Sequence, residues 1–155
     1  MASASESLKE SIRRWALVLG AFQIAIGCVI GFIPRSAVEW FRGIVMAHIE
    51  VTANGVLMVV FSFLVRELCL SPAALKVWFV ALQIGTWLNG GAGLAAAFIG
   101  ASSHLMPTIS EKFPPPYGTD HPIVSGSLLL CGITIMLALL LTLYGLLRSR
   151  ATEHG

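Results

Sequence analysis

Long apolar runs, separated by polar segments, divide this chain into four stretches that each have the length of a membrane-spanning helix. The first run, from about 15 to 33, carries no charge. In a helix, about 20 such residues cross the ~30 Å hydrocarbon layer of a bilayer. The other runs extend over about 43–65, 72–99 and 123–147. The pattern predicts an all-α integral membrane protein, a bundle of four transmembrane helices in a single membrane domain over residues 1–155.

Helix boundaries and helix contacts are marked by particular residues. Ser71 precedes Pro72, which places a capping serine before a proline at the first helical position. Residues 100–122 form one long polar loop, and a loop of this length in a small protein is typical of a functional segment. Small residues at every fourth position let neighbouring helices approach closely in a membrane. Such stripes occur in the first and third predicted helices, at Gly27 and Gly31 and at Gly85, Asn89, Gly93 and Ala97.

Composition excludes a soluble globular domain. Of the 155 residues, 56% are hydrophobic and 12% are charged, which is about half the charged fraction of an average soluble domain. Cys28, Cys69 and Cys131 are isolated thiols, and their spacing indicates neither a disulfide framework nor a zinc site. The net charge of +2 comes from scattered basic residues, which argues against nucleic acid as a partner and leaves membrane lipid as the surroundings.

The distribution of basic residues predicts the orientation in the membrane. Cytoplasmic segments of membrane proteins carry an excess of lysine and arginine. The side with both termini and the connection 66–76 would hold seven such residues, and the other side three: Lys9, Arg13, Arg14, Arg66, Lys76, Arg148 and Arg150 against Arg35, Arg42 and Lys112. We therefore expect a multi-pass protein with both termini in the cytoplasm.

His48 and Glu50 are ionisable residues deep within the second predicted helix. Such residues are costly in lipid and usually functional. At ~100° per residue the two side chains point in nearly opposite directions, whereas Glu50 and Asn54 lie one turn apart on the same face. Two different partners are therefore expected for the imidazole and the carboxylate. Both residues could instead have structural roles: His48 would form a hydrogen bond between helices, and Glu50 would pair with a neighbouring helix or with Arg42.

An isolated imidazole suits haem better than zinc. Zinc needs three or four protein ligands, but a porphyrin supplies four nitrogens itself, so one neutral histidine is sufficient. Asn54 lies ~9 Å along the helix axis and ~120° around it from His48, as expected for a group that reaches past a flat cofactor.

Three segments resemble a family of small membrane isomerases. The run AHIEVTANG, residues 47–55, resembles the AHxxxxxNG stretch of styrene oxide isomerase and, with its glutamate, still more the corresponding run of hydroxylaminobenzene mutases. The segments GTWLN, 85–89, and AAAFIGASS, 95–103, are similar to segments of the mutases in the same order. The resemblance covers the second and third predicted helices.

The resemblance implies roles for the residues of the second helix. His48 would be the axial ligand of haem b, with Thr52 as a second candidate for binding the cofactor. Asn54 would orient the substrate. Glu50 joins Asn54 as a candidate catalytic residue because it is part of the mutase pattern.

Further residues concern the substrate pocket and the loop. Asn89 and Thr86 are candidates to line the pocket, although either could instead only pack between helices. Styrene oxide isomerase has a tyrosine near the position of Gly93, so its absence predicts a wider pocket and puts styrene oxide in doubt as substrate. His104 and His121 lie in the polar loop, where histidines usually titrate without a functional role.

The resemblance implies a redox-neutral isomerase in which ferric haem b acts as a Lewis acid on an oxygen atom of a small hydrophobic substrate. The substrate would be an epoxide that becomes a carbonyl compound in a Meinwald rearrangement or, alternatively, an arylhydroxylamine that becomes an aminophenol. A homotrimer with haem near the subunit contacts is expected. The sequence also allows a non-catalytic haem-binding or structural membrane subunit, or a transporter.

Overall fold

A computed structural model describes residues 4–106 and 111–153, and four long α-helices account for most of them. They are α1 (Ala4–Ile30), α2 (Phe41–Leu64), α3 (Pro72–Ile99) and α4 (Pro122–Glu153). Short 3₁₀ turns at Arg35–Ala37 and Val65–Glu67 precede and follow α2. The described residues contain no strand, so the predicted all-α class is confirmed for them.

Among the described residues, three helical segments are long and apolar enough to cross a membrane, namely Ser5–Ile30, Phe41–Glu67 and Pro122–Arg148. They expose many large apolar side chains, which suits contact with lipid. The 28 residues of α3 also have the necessary length, but α3 is not among these three segments, and it contains the amide side chains of Gln83 and Asn89. The chain is therefore a membrane protein with three apolar spanning helices, and the fourth crossing stays a prediction.

The four helices pack in the order in which they occur along the chain. Within the described part, α2 packs between α1 and α3, and α3 packs between α2 and α4. The outer helices α1 and α4 share no extensive contact, so the helices form an open layer and not a closed ring. The outer surfaces of α1 and α4 are consequently left for lipid or another protein.

Glycines bring the helices close together at the predicted stripes. A Cβ atom on Gly27 would collide with Thr52 of α2, and Gly31 lies against the side chain of His48. On α3, Gly93 and Ala97 contact the backbone or side chains of α2, as the spacing predicts. Gly85, which belongs to the same predicted stripe, faces α4 instead.

The ends of the helices follow local signals in α3 and tertiary contacts in α1. The Ser71 side chain accepts a hydrogen bond from Ala74 N at 3.3 Å, and Gly100 ends α3 with a left-handed φ of 72°. The helix α1 begins at Ala4 and not near 15, since its polar first turns bind the end of α2: Glu10 pairs with Arg66 at 2.9 Å.

The polar loop between α3 and α4 folds over the start of α2. The Trp40 indole donates a hydrogen bond to Phe113 O at 3.0 Å, and Tyr117 N donates to Gly100 O at 2.8 Å. His104 lies 3.0 Å from Asp120, and this hydrogen bond lowers the pKa of the Asp120 carboxyl below its usual range. The loop is therefore a folded cover at one end of the helix layer.

Candidate functional site

The polar side chains of α2 lie on two sides of the helix. His48 and Thr52 face α1, and with Gly27 and Gly31 they form what we call the histidine face. Glu50 and Asn54 face α3. Together with Thr86 and Asn89 of α3 they form the amide face. The opposite directions that the sequence predicts for His48 and Glu50 are thus present in the fold.

The imidazole of His48 is held by the backbone of α1. Its Nδ1 atom lies 2.7 Å from Gly27 O, and a carbonyl oxygen only accepts hydrogen bonds, so Nδ1 carries the proton and donates it. In the neutral form of the ring, the lone pair is then on Nε2. Histidines that bind metal ions commonly donate their other nitrogen in this way, which fixes both the tautomer and the ring orientation.

Two glycines of α1 make space for this arrangement. A Cβ atom on Gly31 would lie 3.0 Å from Nδ1 and 3.2 Å from Cε1 of His48. A Cβ atom on Gly27 would collide with Thr52 and shift the carbonyl that holds the imidazole. The Thr52 hydroxyl donates to His48 O at 2.8 Å, so Thr52 lies beside His48 with its hydroxyl bonded to its own helix.

On the amide face, each polar side chain of α2 meets a partner on α3. Asn89 Nδ2 donates to the Glu50 carboxylate, and Asn54 Nδ2 donates to Thr86 O at 3.1 Å. Glu50 therefore pairs with a neighbouring helix, which was one of its expected structural roles, and Asn89 and not Arg42 is its partner. Asn54 is 8% exposed, so a substrate would reach it only after local movement.

Gln23 of α1 also joins this cluster and was missed by the reasoning from sequence. Its Nε2 atom donates to Thr86 Oγ1 at 3.1 Å, while that hydroxyl donates to Leu82 O at 2.9 Å. The Gln23 side chain is fully buried, and among the described residues its Oε1 atom has no hydrogen-bond partner. A signal was present, because Gln23 is the one strongly polar residue in the first apolar run.

The candidate residues are therefore brought together in two sets and not in one. His48 and Thr52 are neighbours, and Glu50, Asn54, Thr86 and Asn89 are neighbours, but the helix α2 separates the two sets. Within a single chain the structure does not place Asn54 on the same side of α2 as the His48 ring.

The wider pocket expected at Gly93 is wrong. A Cβ atom on Gly93 would lie 3.0 Å from Ala47 N and 3.3 Å from Gly43 O, so this glycine draws α3 against the backbone of α2. Its missing side chain shortens the distance between two helices and does not enlarge a cavity.

The two loop histidines lie away from both faces. His104 is exposed and bound to Asp120, and His121 N donates to Ser102 O at 3.0 Å. Neither contacts the residues of the histidine face.

Comparison with known proteins yields one family. The family model described as styrene oxide isomerase matches residues 12–147, which include both faces of α2. No curated protein matches the chain, and no solved structure matches it.

Proposed function

This chain belongs to the styrene oxide isomerase family, and on that premise we propose that it is a membrane-embedded isomerase of small apolar substrates. Membership of the family implies isomerase activity and, at the family level, rearrangement of an epoxide. The finer proposal is conversion of an epoxide into a carbonyl compound, with no net change in oxidation state and with haem b as cofactor.

One observation carries the proposal for haem, namely the hydrogen bond from His48 Nδ1 to Gly27 O. It leaves the lone pair of Nε2 without a hydrogen bond among the described residues, on a ring of fixed orientation. A single imidazole is sufficient because a porphyrin supplies the other four nitrogens. The glycines beside the ring fit the same purpose, since a side chain at Gly31 would press on the imidazole. When bound, a ferric haem would supply an open coordination position that acts as a Lewis acid on a substrate oxygen.

The other residues would orient the substrate and exclude water. Asn54, whose amide nitrogen is held by Thr86 O, is the proposed orienting group, and Asn89 and Thr86 are the proposed lining of the pocket. The apolar side chains around both faces would keep water from a cationic centre on the substrate. Thr52 would support the histidine face by holding the backbone of His48.

A homotrimer is part of the proposal. The His48 ring is only half-buried, and α1 and α4 present open outer surfaces, so one chain encloses little of a porphyrin. A second copy would cover the part of the His48 ring that one chain leaves exposed. We further propose that α3 crosses the membrane between α2 and α4, and that both termini face the cytoplasm.

Glu50 favours a second candidate substrate. Its carboxylate is paired with Asn89 within the membrane-embedded part of the chain, and a glutamate at this position is part of the mutase pattern. A carboxylate beside an amide could move a proton on a substrate that bears N–H and O–H groups. Conversion of an arylhydroxylamine into an aminophenol is therefore the alternative function.

Purified protein would test the proposal. We expect the full chain in mild detergent to show a haem Soret band that is lost in His48→Ala and retained in the control His104→Ala, which alters an exposed loop histidine. Both substrate types would be assayed with the same preparation, and the substrate that is isomerised identifies the function. Folded protein that stays colourless after reconstitution with haem would contradict the cofactor, and coloured protein inactive on both substrates would favour a non-catalytic haem-binding subunit.

A further inference from the structure

A cavity of about 400 Å³ lies at the loop end of the molecule, away from both faces of α2. It is formed where the segment before α2 meets the proline-rich part of the loop. Its lining combines two arginines, one glutamate, aromatic rings and prolines: Arg35, Val38, Glu39, Trp40, Phe41, Arg42, Phe113, Pro114 and Pro116. We call it the arginine pocket.

The walls of the arginine pocket are held by specific contacts. Trp40 is buried, its backbone N donates to Ala97 O at 3.0 Å, and its indole donates to Phe113 O at 3.0 Å. The Arg42 guanidinium lies 4.6 Å from the centre of the Phe113 ring, at cation–π distance. Both walls of the pocket are therefore held by contacts within the protein.

The two arginines of this pocket lack acidic partners. The Nε atom of Arg42 is buried and has no hydrogen bond within the described residues. In the same part of the chain neither Arg35 nor Arg42 forms an ion pair. Glu39 is the acidic residue of the lining, and it accepts a hydrogen bond from the Tyr117 hydroxyl at 3.3 Å. Two arginines against one carboxylate leave the pocket with one uncompensated positive charge.

The Arg42 guanidinium keeps its contact with the Phe113 ring, but its buried Nε atom lacks an acceptor, and a buried donor without an acceptor is costly. A ligand that supplies one negative charge and several acceptor oxygens would remove this cost. Phosphodiesters have both properties, and the fork of N–H groups on arginine matches phosphate oxygens in pairs. Half-exposed Phe41 offers an apolar surface at the rim of the same cavity.

We propose that the arginine pocket binds a phosphate group, and that a phospholipid headgroup supplies it. Tryptophan and arginine are typical of the membrane interface, and the pocket lies where a membrane-crossing helix begins. Arg42 and Arg35 hold the phosphate, and Phe41 contacts the glycerol and the upper acyl carbons. A bound lipid would add to the contacts that already hold the loop on α2, and this role does not depend on the proposed catalysis.

Native mass spectrometry of the delipidated full chain tests this proposal. Phosphatidylglycerol is added to the wild type, to Arg42→Gln and to Arg35→Gln. We expect the wild type to retain lipid at the pocket and Arg42→Gln to bind it about tenfold more weakly, since charge-assisted hydrogen bonds are lost. Arg14→Gln is the matched control, because Arg14 lines a cavity at the opposite end of the chain, and its binding should equal that of the wild type.

Two further arms distinguish the source of the phosphate and the kind of contact. Diacylglycerol has the acyl chains without the phosphate. If the wild type retains diacylglycerol as well as it retains phosphatidylglycerol, the proposal is overturned. Inorganic phosphate alone is tested by thermal unfolding. If it protects the wild type and the lipid is not retained, the lipid source is wrong. Equal lipid binding by the wild type and Arg42→Gln would also overturn the proposal. If Arg42→Gln does not fold, the same comparison is made with Arg35→Gln, whose substituted side chain is exposed.

Discussion

The histidine face and the amide face of α2 each carry two polar side chains, but these are bound in different ways. On the histidine face, His48 donates to a backbone carbonyl of α1 and Thr52 donates to its own helix. Within the described residues the Nε2 atom of His48 has no protein partner. On the amide face, Glu50 and Asn54 both meet groups of α3.

This difference separates two uses of polar residues in a membrane. Side chains that bond across helices hold the helices together, typically with about 1 kcal/mol each. A ring with one nitrogen bonded to the backbone has a set orientation, and its other nitrogen can still bind a metal ion. His48 therefore also links α2 to α1, which was its expected structural role, but its Nε2 atom stays available for the proposed cofactor. On the amide face, both polar side chains of α2 are used in packing against α3. The following substitutions test that distinction, from the largest expected effect to the smallest.

Gly27→Ala should have the largest effect. The added methyl group would collide with Thr52 and displace the carbonyl that holds His48, and overpacking of this kind costs about 1–3 kcal/mol. We expect lower thermal stability in detergent together with lower haem occupancy, measured from the Soret absorbance. Gly91→Ala is the control, since a Cβ atom there would have no neighbour within 4 Å. Equal behaviour of the two variants would mean that close packing at Gly27 does not organise the histidine face.

Asn89→Leu should have an intermediate effect. It leaves the partly buried Glu50 carboxylate without its amide donor, and loss of such a hydrogen bond costs about 1 kcal/mol. We expect reduced thermal stability with an unchanged Soret band. A double-mutant cycle with Glu50→Leu measures the coupling between the two side chains, and a coupling energy near zero would contradict the pairing. A large loss of activity at unchanged stability would show that Asn89 acts on the substrate, as proposed for the pocket lining, and not through helix packing.

Gln23→Leu should have the smallest effect. It removes one hydrogen bond to Thr86 but also removes a buried oxygen without a partner, so the two contributions oppose each other. We expect the free energy of unfolding to change by less than about 1 kcal/mol, as followed by thermal unfolding in detergent. A much larger loss of stability would show that Gln23 Oε1 has a bound partner in the working protein.

Much of the fold was predictable because its signals are local. The start of α3 depends on Ser71 and Pro72, which act within one helical turn. The length of an apolar run likewise predicts a spanning helix without knowledge of its neighbours. The start of α1 was not predictable in this way, because Glu10 is held in the helix end by its contact with Arg66, 56 residues away in sequence.

The candidate site was predictable only in part. The helical period correctly separates the directions of His48 and Glu50. An ionisable residue in an apolar run also indicates a functional position, because its burial in lipid costs free energy. The partners of these residues depend on helix order and register. Sequence therefore did not reveal that Asn89 binds Glu50 or that Gln23 reaches Thr86. Gly93 was misread for the same reason, since a missing side chain can line a cavity or allow close contact.

Sequence by itself determined that this is a helical membrane protein with an imidazole inside an apolar helix, because hydropathy and helical period are properties of short segments. Only the tertiary structure decided that the helices form an open layer, that α2 holds its histidine and its asparagine on different sides, and that Gly27 O fixes the imidazole. These features depend on which helices meet and at what register. Glycines far apart in the chain determine both, because they allow close contact between particular helices.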